Sequence, residues 1–112
     1  MTVRNLLDGI PEGSFGEWSE ILAGGGEARI ERIVSRRGHS SPEGFWYDQR
    51  DWEWVMVLTG RAKVRFEGDH GTVCLGPGDH ITIPPRTRHR VEWTDPEAET
   101  VWLAVHYCMQ TG

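Results

Sequence analysis

Short segments of alternating polarity run through most of this chain. Between residues 61 and 67, Ala62, Val64 and Phe66 alternate with charged side chains. A period of two puts the apolar positions on one face, so this segment is predicted to be a β-strand with one buried and one solvent-exposed face. The segment from Glu53 to Thr59, EWVMVLT, is nearly all apolar, as expected of a strand that is covered on both sides.

Glycine and proline interrupt the chain about every eight to twelve residues, and long amphipathic helical patterns are absent, which is typical of an all-β sandwich or barrel. Further strands are predicted at residues 28–35, 72–75, 80–83, 89–93 and 100–107. Residues 17–22 fit either a short strand or one helical turn. We therefore divide the chain into an N-terminal arm at residues 1–27, which holds a flanking strand or a short helix, and a β domain at residues 28–112.

Length and composition indicate a single soluble domain. The chain has 112 residues, 38% of them hydrophobic and 26% charged, which is ordinary for one globular core. A net charge of −5 argues against a nucleic-acid or anionic-membrane surface spread over the protein. Two cysteines without a C-x-x-C pair, together with the lack of a signal-peptide or membrane-spanning apolar run, favour a reduced, cytoplasmic location.

Two motifs in the second half of the chain resemble the signature motifs of the cupin superfamily. The first, E-W-V-M-V-L-T-G, runs from Glu53 to Gly60 and is similar to the second half of the first family motif. The second, P-G-D-H-I-T-I-P-P-R-T-R-H, has a proline–glycine–aspartate corner, a strand, Pro84 and then His89. The resemblance covers residues 28 to 107 and implies a single antiparallel jelly-roll β-barrel. The segments SPEGFWYDQ and HRVEWTDP also resemble uncharacterised small single-domain cupins, a likeness that supplies no function.

The chain departs from the family pattern where two histidines, one residue apart, precede the glutamate. With a three-residue spacer their places fall on Tyr47 and Gln49, and with a four-residue spacer on Trp46 and Asp48. We prefer Tyr47 and Gln49, because that spacing keeps them on the same side of a regular strand as Glu53. A bulge would bring Asp48 in instead.

The resemblance implies a pocket centred on Glu53 and His89 that binds a divalent transition metal such as Fe, Mn, Ni or Zn. Gln49 could add a carbonyl oxygen and Tyr47 a phenolate, both weaker or less usual ligands than a neutral imidazole. The alternative is a metal-free pocket in which Glu53 and His89 form a hydrogen-bonded pair completed by Tyr47 and Gln49. Tyr47, Glu53 and His89 are the candidate catalytic residues.

Three more residues are candidates for the pocket wall. His106 lies on the last strand, although alternation from Val101, Leu103 and Val105 would turn it outward. Arg86 could bind a carboxylate or phosphate through two hydrogen bonds from its guanidinium group. Trp93 shares the face of His89 and could line an apolar wall of the pocket.

His39 lies in a loop before the first motif, and we expect it to be exposed.

Two functions fit these residues. The first is a metal-dependent enzyme acting on a small molecule, with oxygenase, isomerase and lyase chemistry all open. The second is a non-catalytic module that binds or senses a small ligand in the same pocket. Under either function we expect a homodimer, because small jelly rolls expose sheet edges and apolar faces that pairing can cover.

Overall fold

The fold is all-β. The computed structural model describes residues 1–68 and 71–108, in which no α-helix occurs and no helix is long and apolar enough to cross a membrane. The eight strands are β1 (Glu17–Gly25), β2 (Ala28–Ser35), β3 (Trp52–Thr59), β4 (Ala62–Phe66), β5 (Thr72–Leu75), β6 (His80–Ile83), β7 (His89–Thr94) and β8 (Thr100–Tyr107).

The strands form two antiparallel sheets. One has five strands in the order β1-β2-β8-β3-β6 and the other has three in the order β5-β4-β7. The hydrophobic core lies between them, with Val55, Val57, Trp102 and Ala104 from the larger sheet against Val64 from the smaller one. The expected closed barrel is not observed, because no strand ladder joins the two sheets in the described residues. The jelly-roll connection of the strands stays a prediction.

The clearest predicted strand has the expected two faces. In β4, Ala62 and Val64 are buried and Lys63 and Arg65 are exposed. In β3 the interpretation of two covered faces was too simple. Its inward positions are buried, but its outward positions are only half-buried, so the outer face of β3 is partly exposed.

The segment at residues 17–25, for which strand and helix were both open, is a strand. It pairs with β2 along its length, with a register shift between Ile21 and Ala23. The residues before it are tied to the outer side of β2 by Arg32, which is 1% exposed and donates hydrogen bonds to the backbone carbonyls of Leu6 and Asp8. β1 is thus part of the larger sheet, and Arg32 anchors the residues before it to β2.

Two glycines of the motifs have conformational reasons to be there. Gly60 has φ +87°, and a Cβ atom at this position would lie 2.7 Å from Thr100 Cα. Gly78 has φ +88° in the corner before β6, and its amide donates to the carbonyl of Val57 at 2.8 Å. The motifs therefore fix the turns that hold β3 beside its neighbours, which orients the inward side chains of β3.

Candidate functional site

A cavity of about 320 Å³ lies between the two sheets. Inward positions of strands from both sheets form its walls. The apolar wall consists of Ile33, Val55, Val64, Ile83, Val91 and Trp102. The polar side chains that reach it are Glu17, Ser19, Arg29, Glu31, Tyr47, Gln49, Glu53, His89 and His106. An apolar wall combined with convergent polar groups is typical of a small-molecule site.

Glu53 and His89 meet inside this cavity. Glu53 projects from β3 and is 7% exposed, and His89 begins β7 and is 6% exposed. His89 Nε2 lies 3.6 Å from Glu53 Oε1, an ion-pair distance rather than a hydrogen bond. The amide nitrogen of Gln49 donates to the same Oε1 at 2.9 Å.

The tautomer of His89 follows from its other contact. Its Nδ1 lies 2.8 Å from the carbonyl oxygen of Thr87, which can only accept a hydrogen bond, so Nδ1 carries a proton. In the neutral ring Nε2 then has a free lone pair facing the cavity and Glu53. Nε2 can therefore exchange a proton with a molecule that is bound beside Glu53.

The charge state of Glu53 results from opposing effects. Burial alone would raise the pKa of this carboxyl, but the neighbouring imidazole of His89, the charge of His106 and the amide of Gln49 outweigh burial and lower the pKa. Glu53 is therefore ionised at neutral pH, and it is available as a proton acceptor.

Tyr47 lies on the other side of His89. The two backbones form an isolated antiparallel bridge, and the rings stack with centroids 5.4 Å apart. The Tyr47 hydroxyl is 3.5 Å from Glu17 Oε1, and burial together with the charge of Glu17 raises its pKa well above the usual range. Tyr47 is therefore a neutral phenol that can donate a hydrogen bond, and the expected phenolate ligand is disfavoured.

The structure places Tyr47 and Gln49 at the cavity and Asp48 outside it. Asp48 is exposed and faces Arg86, whose Nη1 is 3.5 Å from Asp48 Oδ1. This arrangement agrees with the three-residue spacer and not with the bulged alternative. Arg86 itself is exposed, has φ +58° and does not line the cavity, contrary to the expectation that it forms part of the pocket wall.

Trp93 does not line the cavity either. It is 39% exposed and lies over the ammonium group of Lys63. The reason is a register shift: Val64 pairs with Val91 but Lys63 pairs with Trp93, so β7 contains one extra residue at this point. The bulge turns Trp93 to the outer face, whereas Val91 stays on the face of His89.

His106 faces the cavity, contrary to the alternation argument. It is 5% exposed and is the register partner of Glu53 on β8. Both faces of β8 carry apolar residues, and the run of Val101, Leu103 and Val105 belongs to the outer face. Trp102 and Ala104 are the inward positions that share the face of His106.

Three carboxylate–histidine pairs surround the cavity or its rim. Besides Glu53 and His89, Glu31 Oε1 lies 3.2 Å from His106 Nε2, and Glu17 Oε2 lies 3.3 Å from His39 Nε2. The sequence interpretation missed both glutamates and expected His39 to be exposed, although it is half-buried.

One signal could have located Glu31. The alternation in ARIERIVS places Arg29, Glu31 and Ile33 on one face of β2, the face that lines the cavity.

The donor groups do not fit a stable transition-metal site as they are arranged. Within residues 1–68 and 71–108, no group of three or more His, Cys, Asp or Glu side chains could hold one ion. Glu53 and His89 supply two donors, Gln49 directs its amide nitrogen at Glu53, and His106 is engaged by Glu31. The expected divalent metal therefore stays a prediction.

Comparison with known proteins identifies the family. Residues 36–106 match the family model described as a cupin domain. A crystal structure from Ralstonia eutropha JMP134, of a protein provisionally named a mannose-6-phosphate isomerase, has 43% identity and a TM-score of 0.89 and covers 97% of this chain and 100% of that chain. No curated protein matches this chain.

More distant structures share the fold. A cupin superfamily protein from Desulfitobacterium hafniense DCB-2 has 18% identity and a TM-score of 0.73, with 89% of this chain and 84% of that chain covered. A DMSP lyase from Ruegeria pomeroyi DSS-3 has 22% identity and a TM-score of 0.70, with 86% of this chain and 49% of that chain covered. At these identities the likeness concerns the fold alone.

Proposed function

We propose that this chain, which belongs to the cupin superfamily, is an enzyme that moves a proton on a small polar molecule held between its two sheets. The observation that carries the proposal is the buried pair of Glu53 and His89, with His89 Nε2 directed at the carboxylate across 3.6 Å. Burying these two groups opposes folding, because both lose hydration. Such a cost is typical of a functional site.

The residues divide into an accepting side and a donating side. Glu53, whose pKa is lowered, accepts a proton from a carbon or oxygen of the bound molecule, and Gln49 keeps its carboxylate in place. On the opposite side, burial raises the pKa of Glu17, next to the neutral phenol of Tyr47. Two carboxyl groups around one cavity whose pKa values are shifted in opposite directions favour a base and an acid that act on one substrate.

The reaction class that fits is isomerisation or elimination. In either reaction Glu53 takes a proton from a carbon, and the electron pair of that bond moves towards an oxygen or a leaving group. Tyr47 can donate a hydrogen bond to that oxygen. The isomerase name of the Ralstonia eutropha protein, which is 43% identical, supports proton transfer over other chemistry on this fold.

Hydrogen exchange at carbon tests the proposal without a candidate substrate. The protein is incubated in D₂O with a mixture of small cellular metabolites, and mass spectrometry identifies compounds that gain one deuterium. We expect at least one compound to gain a carbon-bound deuterium with wild-type protein and none with Glu53→Gln. Glu43→Gln, which changes an exposed glutamate, serves as the matched control and should retain the exchange.

The alternative function is a non-catalytic module that binds a small ligand. It would be supported if a metabolite raised the thermal stability of wild-type protein and of Glu53→Gln, while neither protein introduced deuterium into any compound. That outcome would contradict the proposed enzymatic function and would show that the cavity binds a ligand without catalysis.

We also propose that two copies pair through the outer face of the larger sheet. On that face Ile30, Val105 and Trp54 lie side by side across three strands, and Leu103 pairs with Met56 in the next row. Ile30 is exposed and the other four are half-buried, so an apolar surface faces solvent in the single chain. A second copy with the same face would cover it around a twofold axis.

A further inference from the structure

The cavity carries an excess of negative charge. Three carboxyl groups line it, those of Glu17, Glu31 and Glu53, and the lowered pKa of Glu53 keeps that one ionised. Arg29 is the one arginine among the described lining residues, and its Nη1 lies 3.6 Å from Asp51 Oδ2 at the rim. Arg29 is therefore outnumbered by the glutamates within the cavity and is already paired with Asp51 outside it.

The polar groups of the cavity mainly accept hydrogen bonds. The carboxylate oxygens of Glu31 and Glu53 accept hydrogen bonds, so these two residues favour a ligand with O–H or N–H groups. His106 also lines the cavity, is buried, and has an Nδ1 atom with no hydrogen-bond partner in the described part of the chain. These groups are complementary to a molecule rich in donors.

An anionic ligand would meet an unfavourable environment. Two like charges about 5 Å apart repel by about 3 kcal/mol at an effective dielectric constant near 20, and an anion in the cavity would face several carboxylates. Arg29 could compensate an anion only by giving up its contact with Asp51.

We infer that the molecule taken into the cavity carries an amino group or several hydroxyl groups and no phosphate or carboxylate. This inference rests on the proposed function, because it names the substrate class of the same cavity. It separates the chain from the phosphorylated sugar in the name of the Ralstonia eutropha protein, despite the close likeness of the two folds.

The experiment uses matched ligands that differ in charge. Cyclohexylamine, cyclohexanol and cyclohexanecarboxylate form one set, and mannosamine, mannose and mannose 6-phosphate form another. Binding is followed by NMR on the indole N–H of Trp102, which lines the cavity and donates to Ser35 Oγ at 3.0 Å. Trp102→Phe assigns this signal.

We expect the amine of a set to bind at least about tenfold more tightly than the anion, which corresponds to about 1.4 kcal/mol. Glu31→Gln should narrow that ratio, since the amide keeps an acceptor for His106 but removes one negative charge. Glu43→Gln should leave the ratio unchanged, because Glu43 is exposed and does not line the cavity.

Two results would overturn the inference in different ways. If the anion binds most tightly and its binding is lost in Arg29→Gln, the substrate class is wrong while the proposed function stands. If no member of either set, and no compound of the metabolite mixture, perturbs Trp102, both the inference and the proposed function are contradicted.

Discussion

If Glu53 and His89 serve function rather than stability, removing one should cost far more stability than removing both. The two side chains are buried, with Nε2 and Oε1 3.6 Å apart. At an effective dielectric constant of about 20, opposite unit charges at that distance attract by about 4–5 kcal/mol. Loss of hydration on burial opposes this attraction, so the net contribution of the pair is small.

The single variants leave one group without its partner. His89→Leu leaves an ionised carboxylate in an apolar cavity, and we expect a loss of about 3–5 kcal/mol in the free energy of unfolding. Glu53→Leu leaves the His89 imidazole without its carboxylate, and the loss should be smaller because the ring can remain neutral.

The double variant Glu53→Leu/His89→Leu is expected to be as stable as wild type or more stable, by up to about 4 kcal/mol. Its leucines would pack against Val64, Ile83 and Val91, which line the same cavity. Burial of the two apolar side chains stabilises the folded state, whereas the attraction within the polar pair is largely offset by the loss of its hydration.

Urea unfolding followed by tryptophan fluorescence measures these differences. The control Glu43→Leu changes an exposed glutamate and should shift the free energy by no more than about 0.5 kcal/mol. If the losses of the two single variants add in the double variant, Glu53 and His89 stabilise the fold and this prediction is wrong.

Four further results are expected. Gly60→Ala should destabilise by about 3 kcal/mol or more in the same urea assay, because its φ is +87° and the new Cβ would meet Thr100. The free energy of unfolding of wild type should exceed that of Glu53→Gln by more at neutral pH than at acidic pH. Folding lowers the pKa of Glu53, so its ionised carboxylate stabilises the folded protein above the ordinary pKa of a glutamate. This stabilisation is lost as the pH falls through the pKa of Glu53 in the folded protein. Analytical ultracentrifugation should show a dimer for wild type and a monomer for Met56→Glu; a wild-type monomer would contradict the proposed pairing. Trp93→Ser should leave ligand binding at Trp102 unchanged in NMR titrations, since Trp93 lies outside the cavity.

Local sequence patterns predict a strand well where one of its faces is exposed to solvent. The alternation at residues 61–67 identifies β4 because charged side chains mark its outer face. The glycine-rich corner before β6 and Gly60 are recognisable because few other residues adopt a positive φ. Whether the two sheets close is a matter of hydrogen bonding between distant strands, and no local pattern reports it.

The candidate site was harder to predict than the fold. The motif residues Glu53 and His89 could be identified, whereas the orientation of His106 could not, because both faces of β8 are apolar. A single extra residue in β7 reversed the expected face of Trp93.

The position of Glu17 at the cavity could not be predicted from the sequence for a different reason. It reaches the cavity through the pairing of β1 with β2, and its partners Tyr47 and His39 lie in a distant loop segment. Contacts of this kind depend on tertiary structure and leave no periodic signal in the sequence.

The metal content of protein purified without an affinity tag or chelator distinguishes an acid–base pair of Glu53 and His89 from two ligands of a metal. Elemental analysis of wild type, Glu53→Ala and His89→Ala should find metal well below one equivalent in all three, even after Fe, Mn, Ni and Zn are supplied. The deuterium exchange should persist in the wild-type sample. Near-stoichiometric metal in wild type that is lost in both variants would contradict the acid–base pair and establish a metal centre at these residues.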